Sequence, residues 1–302
     1  MLVGGGIRFP AYIGALQAIE ESGLNVSRII ASSTAAIVAA MYVCGHSPAA
    51  LQEEALALDT AQFRDISIRS MLGGYGLCSG QRLEEWVDGK LGARCFSDKL
   101  TLPLEIVATD MLRYRPVSFT AERFPDLKIS TAAAASSLVP GVFAYKKLTY
   151  AEKKYALIDG ALMTGVVEGR LDRSQKVLII KMMSKRTLRR PEHGKLSLKS
   201  YFHEMLTFAM HAQEKEFVKG GSWKDTIIIY CGEISPSSFS LATHDRKFLF
   251  AQGYEQTKKY LQYKWGVEKI GLELGNCLRR TRPDIFLGFL LGVALFRDLF
   301  CP

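Results

Sequence analysis

Sulfur chemistry is scarce in this chain. Its six cysteines, Cys44, Cys78, Cys95, Cys231, Cys277 and Cys301, are scattered through 302 residues with no C-x-x-C pair and no histidine cluster beside them. That pattern excludes a zinc-site spacing and the density of a disulfide scaffold, so the thiols read as reduced. No G-x-x-x-x-G-K-[ST] occurs, which removes the P-loop nucleotide-binding class. Internal repeats and low-complexity tracts are also missing. The apolar run Ile285 to Phe296 ("IFLGFLLGVALF") has twelve residues, too few to cross a bilayer, and reads equally as a buried or an interfacial helix. Met1 leads directly into "LVGGG" with no charged leader and cleavage site, so the chain reads as cytosolic, with peripheral membrane contact left open.

What is there suits a folded enzyme-sized domain. With 48% hydrophobic and 23% charged residues, the chain can bury a sizeable core and is not of the disordered class. The net charge of +9 is unevenly placed: Lys181 to Lys199 carries seven basic residues against the single acid Glu192. Such a stretch attracts a polyanion, an anionic membrane surface being one, or is simply a solvated basic loop.

Periodicity gives an alternation of strand and helix. Leu2 and Val3 precede "GGGIR", and Pro10 stands where a first helical residue would. Tyr12, Leu16 and Ile19 then recur on one helical face, and Gly23 stops the helix. Arg28 to Ala31 form the next strand and Thr34 to Cys44 a helix apolar nearly all round, as burial on every side requires. "LPLEIVATD" (Leu102 to Asp110) reads as a buried strand. "LKISTAAAASSLVPGVF" reads as a short helix broken before Pro140. A strand ends at Asp159, "KVLIIKMM" and "TIIIYCGEI" supply two more, and Ser200 to Val218 and Arg246 to Lys264 read as amphipathic helices. That order predicts an α/β domain built on a parallel sheet with right-handed crossovers.

Three features carry chemistry. The turn Gly4-Gly5-Gly6-Ile7-Arg8 exposes backbone N–H groups at a helix N-terminus, where an anion, phosphate or oxyanion, can be held. Phe9 stands where a dinucleotide-binding G-x-G-x-x-G needs its third glycine, which speaks against a nucleotide. At the corner Ala31-Ser32-Ser33-Thr34-Ala35, the serines either cap the helix that follows or expose Ser33 as a nucleophile on a strand-to-helix elbow. Asp159, followed by Gly160, lies at the carboxyl end of a strand, where catalytic groups of open α/β sheets gather.

In this order the motifs resemble those of the patatin-like phospholipases. G-G-G-x-[RK] stands as Gly4 to Arg8, G-x-S-x-G as Ala31 to Ala35, A-S-x-x-x-P as Ala135 to Pro140, and D-G-[GA] as Asp159 to Ala161. The resemblance implies a three-layer α/β fold with a mainly parallel central sheet and helices on both faces. Its catalytic core would span residues 1–170, residues 171–281 would complete the same domain, and 282–302 would be an apolar tail. It further implies a Ser33–Asp159 dyad with no histidine, metal or cofactor. The amides of Gly4, Gly5, Gly6 and Ile7 would form an oxyanion hole, and Arg8 would support the glycine loop or face a lipid phosphate. The activity implied is hydrolysis of fatty-acyl esters of phospholipids or lysophospholipids at an anionic membrane surface, with no nucleic-acid partner. A lipid-binding protein with weak or no turnover and an acyltransferase are the alternatives. Both elbow glycines of the family pattern are alanines here, from which a widened elbow is expected.

Overall fold

The computed structural model describes residues 1–172, 174–184, 225–236 and 240–266. The basic stretch beyond Ser184, the helix expected over Ser200 to Val218 and the apolar run Ile285 to Phe296 lie outside the described residues. The chain opens with β1 (Leu2–Val3), a 3-10 turn over Gly6–Arg8, helix α1 (Pro10–Glu21), β2 (Ile29–Ser32) and α2 (Thr34–Val43). Three helices and a short strand follow: α3 (Pro48–Ala57), α4 (Ile68–Gly74), β3 (Gly76–Cys78) and α5 (Gln81–Leu91). Next come β4 (Leu104–Asp110), β5 (Arg115–Phe119), α6 (Ile129–Ser136), β6 (Gly141–Phe143), β7 (Lys146–Tyr150) and β8 (Lys153–Ile158). Helix α7 (Thr164–Glu168), β9 (Ile179–Met183), β10 (Thr226–Tyr230) and α8 (Thr243–Trp265) complete the described elements.

Strands β10, β9, β1, β2 and β4 are parallel in that order, the crossover arrangement the sequence predicts, while β5, β7 and β8 are antiparallel. Side chains alternate across a strand, so the two sheet faces can be separated residue by residue. Ile29, Ala31, Ile106 and Ala108 enter the main core with α1, α2, α5, α6 and α8. Ile30 and Val107 point to the opposite face, where they meet Val167 of α7. The central strands are apolar on both sides because both sides are covered.

Helix α2 is buried except at Thr34 and Tyr42. Alanine at four of its ten positions lets the sheet and its neighbours approach closely. Helices α1 and α8 approach closely too: a Cβ on Gly14 would fall 2.0 Å from the Phe250 carbonyl oxygen, and one on Gly253 would fall 1.9 Å from that of Ala11. The Tyr254 hydroxyl donates to Glu21 at 2.5 Å, so α8 braces the helix that follows the glycine turn. Among the described residues no helix is long and apolar enough to cross a membrane.

Pairing around β4 sets the site. Strands β2 and β5 both pair with Ile106 and Val107, so they occupy opposite edges of β4; β8 and β5 both pair with Thr109 and Asp110 and do likewise. Hence β2 and β8 share one edge, β2 rising to Val107 and β8 descending to Thr109. Each leaves the sheet where the two would collide, at the level of Ala108. Asp159 therefore stands at the carboxyl end of a strand, as expected, and that strand is antiparallel to β4. It reaches the carboxyl end of the parallel sheet because β8 overlaps β4 only at its last two residues.

Candidate active site

The residue leaving β2 at that collision is Ser33, and the residue leaving β8 is Asp159. Their side chains meet, the Ser33 hydroxyl donating to Asp159 Oδ2 at 2.6 Å, across 126 residues of sequence. Both residues are buried, at 3% and 4% exposure. Ser33 occupies the N-cap position of α2, yet its side chain makes no capping bond, so the capping role weighed for it is not the one it has. Its backbone lies at φ 58°, ψ −145°, a region costing a non-glycine residue of order 1–3 kcal/mol unless the surroundings hold it.

Those surroundings are identifiable. The Ser33 N–H donates to Ser136 Oγ at 2.8 Å, and the Ser136 hydroxyl donates onward to the Val107 carbonyl at 2.5 Å. Ser136 thus fills the gap between the ends of β2 and β8 and fixes the strained corner. Ala31 and Ala35 are fully buried, and the elbow bearing these methyls still brings the hydroxyl to the carboxylate.

Asp159 is held at four points. Its N–H donates to the Leu138 carbonyl at 2.9 Å, and its own carbonyl accepts from the Thr109 hydroxyl at 2.8 Å. Its Oδ1 accepts from the Ala161 N–H at 2.7 Å, leaving Oδ2 for Ser33. Gly160 is required by close approach, since a Cβ there would fall 1.8 Å from the Val107 carbonyl oxygen. Burial pushes the Asp159 carboxyl up from 3.8 to about 6, against the opposing pull of the hydrogen bonds from Ser33 and Ala161. At neutral pH it is ionised and basic enough to take a proton from a hydroxyl hydrogen-bonded to it.

The glycine turn lies alongside, one residue past the pairing of Val3 with Ser32. Gly4, Gly5 and Gly6 all have positive φ (67°, 110° and 57°), a run only glycine makes without strain. The four amides of the expected anion site are not equivalent. Gly4 N–H is taken by Ser32, at 3.2 Å to its carbonyl and 3.3 Å to its hydroxyl, and Ile7 N–H by the Pro236 carbonyl at 3.2 Å. Among the described residues the amides of Gly5 and Gly6 have no acceptor. The Thr34 hydroxyl donates to the Gly6 carbonyl at 2.8 Å and fixes that peptide's orientation. The Arg8 guanidinium is buried and donates to the Gly5 carbonyl (3.2 Å) and to Ser184 Oγ (2.7 Å), contacts of loop support.

Ser136, Thr109 and Thr34 were not singled out by sequence. The A-S-x-x-x-P pattern places its serine at Ser136 but says nothing of what that hydroxyl does, and the neighbouring Ser137 hydroxyl turns back to the Ala133 carbonyl. Of the histidines, His46 and His244 are described; they engage the Lys90 carbonyl and Asp245, not the dyad. A groove of about 650 Å³ between α5, α6 and β7 contains neither Ser33 nor Asp159 and is crossed by the ion pairs Lys146–Glu84 and Lys128–Asp88.

Comparison with known proteins bears on the family and the fold. The profile of the patatin-like phospholipases matches residues 1–168. The uncharacterized protein YqhO of Bacillus subtilis (strain 168) is 22% identical over 279 residues, covering 86% of this chain and 96% of its own. Among solved structures, VipD from Legionella pneumophila superposes with a TM-score of 0.56 at 16% identity, over 87% of this chain and 66% of that one. ExoU from the type III secretion system of Pseudomonas aeruginosa, in complex with SpcU, gives 0.51 at 17% identity, over 87% and 52%. The chain spans less than two thirds of either solved protein, and at these identities the likeness speaks to the fold.

Proposed function

The chain belongs to the patatin-like phospholipase family, and on that premise we propose that it hydrolyses fatty-acyl esters of phospholipids or lysophospholipids, with Ser33 as nucleophile and Asp159 as base. The observation that carries this reading is the 2.6 Å hydrogen bond from Ser33 to a buried, ionisable Asp159 on a strained turn. Asp159 takes the hydroxyl proton as Ser33 Oγ attacks the ester carbonyl, forming a tetrahedral oxyanion. The Gly5 and Gly6 amides donate to that oxygen, and the positive end of α2, which begins at Thr34, adds to the field. Collapse breaks the ester C–O bond, and the departing alcohol takes the proton from Asp159. Water then attacks the acyl-enzyme, giving up a proton to Asp159. Release of the fatty acid returns that proton to Ser33. No metal or cofactor takes part in this scheme, and residues 1–170, 171–281 and 282–302 are assigned as core, completing part and tail of one domain acting at a membrane surface.

A fluorophosphonate probe tests it. The wild type is expected to be labelled and to release fatty acid from mixed phospholipids, and Ser33→Ala to do neither while retaining its circular dichroism. Unlabelled wild-type protein that still binds lipid would give the site to binding without turnover. An acyl product appearing on an added alcohol instead of in water would make it a transferase.

A further inference from the structure

Large apolar side chains left in solvent concentrate in one short segment. Ile66, Ile68, Leu72 and Tyr75 each keep more than two thirds of their surface exposed, and Met71 and Leu77 close to half. An apolar concentration of this kind on a folded domain marks a contact surface. The segment is firmly built. Ser67 accepts from the Ser70 N–H at the start of α4, and Ser67 N–H donates to the Leu77 carbonyl at 3.2 Å. Strand β3 pairs with β6, and the amides of Ala144 and Tyr145 donate to the carbonyls of Cys78 and Gly74. The exposed apolar face is therefore displayed by fixed backbone.

Its location and charge identify what it meets. Strand β6 follows directly from the segment whose Leu138 carbonyl accepts the Asp159 N–H, so the patch is tied to the backbone that carries the base. Leu112 and Tyr114, also exposed, sit on the β4–β5 turn at the same end of the sheet, where Met111 N–H bonds Ala156 of β8. Tyr75 stacks on Tyr145 with ring centres 6.4 Å apart, and the Lys147 ammonium lies 5.7 Å from the Tyr145 ring. Asp65, the one acid between Arg64 and Leu77, is turned away onto Ser79 and the Gly80 amide. Aliphatic side chains, amphipathic tyrosines and the Lys147 ammonium at their margin are a composition that suits the headgroup boundary of an anionic bilayer.

We propose that residues 66–77, with Tyr145 and Lys147 at their margin, seat the protein on a phospholipid bilayer bearing anionic headgroups, next to the site that receives the ester. This deepens the hydrolase reading and rests on it.

The test uses the full chain and vesicles of equal parts phosphatidylcholine and phosphatidylglycerol. The wild type is expected to sediment with vesicles at low salt and to gain amide-exchange protection over 66–77. Ile68→Asp with Leu72→Asp is expected to keep the wild-type melting temperature, since both side chains are exposed, and to lose about a hundredfold in partitioning, two buried aliphatic side chains each accounting for about tenfold. Equal sedimentation of the variant, or no change in exchange over 66–77, overturns the assignment. So does self-association through 66–77 that the same substitutions abolish without lipid. Protection of 66–77 in the absence of lipid, lost on truncation after Thr281, assigns its cover to the chain's own tail and equally overturns it. Hydrolysis of a soluble short-chain ester by the wild type separates the two ideas: its absence alongside the expected vesicle binding sinks the hydrolase reading and leaves the docking surface standing.

Discussion

Replacing Asp159 by asparagine separates the cost of the site from its chemistry. Asparagine keeps the shape and the acceptor for the Ala161 N–H but carries no charge. In the wild type the carboxyl moves from 3.8 to about 6 on folding because it is buried, so the native state retains its proton in the window where the unfolded chain has already lost it. Stability therefore falls as pH rises through that window, and the full penalty is present above it. Two pKa units correspond to about 3 kcal/mol. The hydrogen bond from Ser33 to the carboxylate is already contained in that net shift. Asp159→Asn is thus expected to be more stable by about 3 kcal/mol at pH about 8, raising the melting temperature by roughly 6 to 12 °C. The difference should shrink as pH falls through about 6 and vanish below 3.8. Turnover of a soluble ester should drop about a thousandfold or more, as when one member of a catalytic unit is lost. The wild type itself should lose activity as pH falls through about 6, where the base is protonated. Thermal unfolding followed by circular dichroism across this range, beside ester hydrolysis, is the assay. A variant with native dichroism that is less stable than wild type at high pH would refute the burial penalty, and near-wild-type turnover would refute the base.

Ser136→Ala leaves the Ser33 N–H and the Val107 carbonyl without their shared partner. Chemical denaturation should show a loss of about 2 kcal/mol or more, with turnover falling too. Gly6→Ala puts a methyl 2.2 Å from the Pro236 carbonyl oxygen at positive φ, so it should abolish turnover and lower the melting temperature; a fully active variant would remove the turn from the site. Ala31→Gly with Ala35→Gly should keep the dyad active but melt earlier. The added glycine in α2 alone costs about 1 kcal/mol, and unchanged thermal stability would contradict that.

Much of this layout was legible because it is local. The parallel strands β1, β2, β4, β9 and β10 and the helices α1, α2 and α6 are visible as apolar runs with glycine and proline at their ends. The motif residues Ser33 and Asp159 are marked by the small residues their corners require. The direction of β8 was not legible: its hairpin with β7 turns through Ala151 and Glu152, at φ 45° and 64°, positions where Asn-Gly would ordinarily announce such a turn. Nor could sequence divide the four loop amides, because the carbonyl that takes Ile7 N–H belongs to Pro236, more than two hundred residues away. The role of Ser136 was hidden for the same reason, its two partners being the Ser33 N–H just past β2 and the Val107 carbonyl of β4.

The head-on meeting of β2 and β8 along one edge of β4 also bears on how the protein folds. Helices can form early from neighbouring residues, but the dyad closes across 126 residues, and only when the β7–β8 hairpin has docked at the end of β4. Such long-range pairings are the slow contacts of a folding chain. During refolding, ester hydrolysis should therefore return after the helical signal in the far ultraviolet, and its rise times the closing of the sheet.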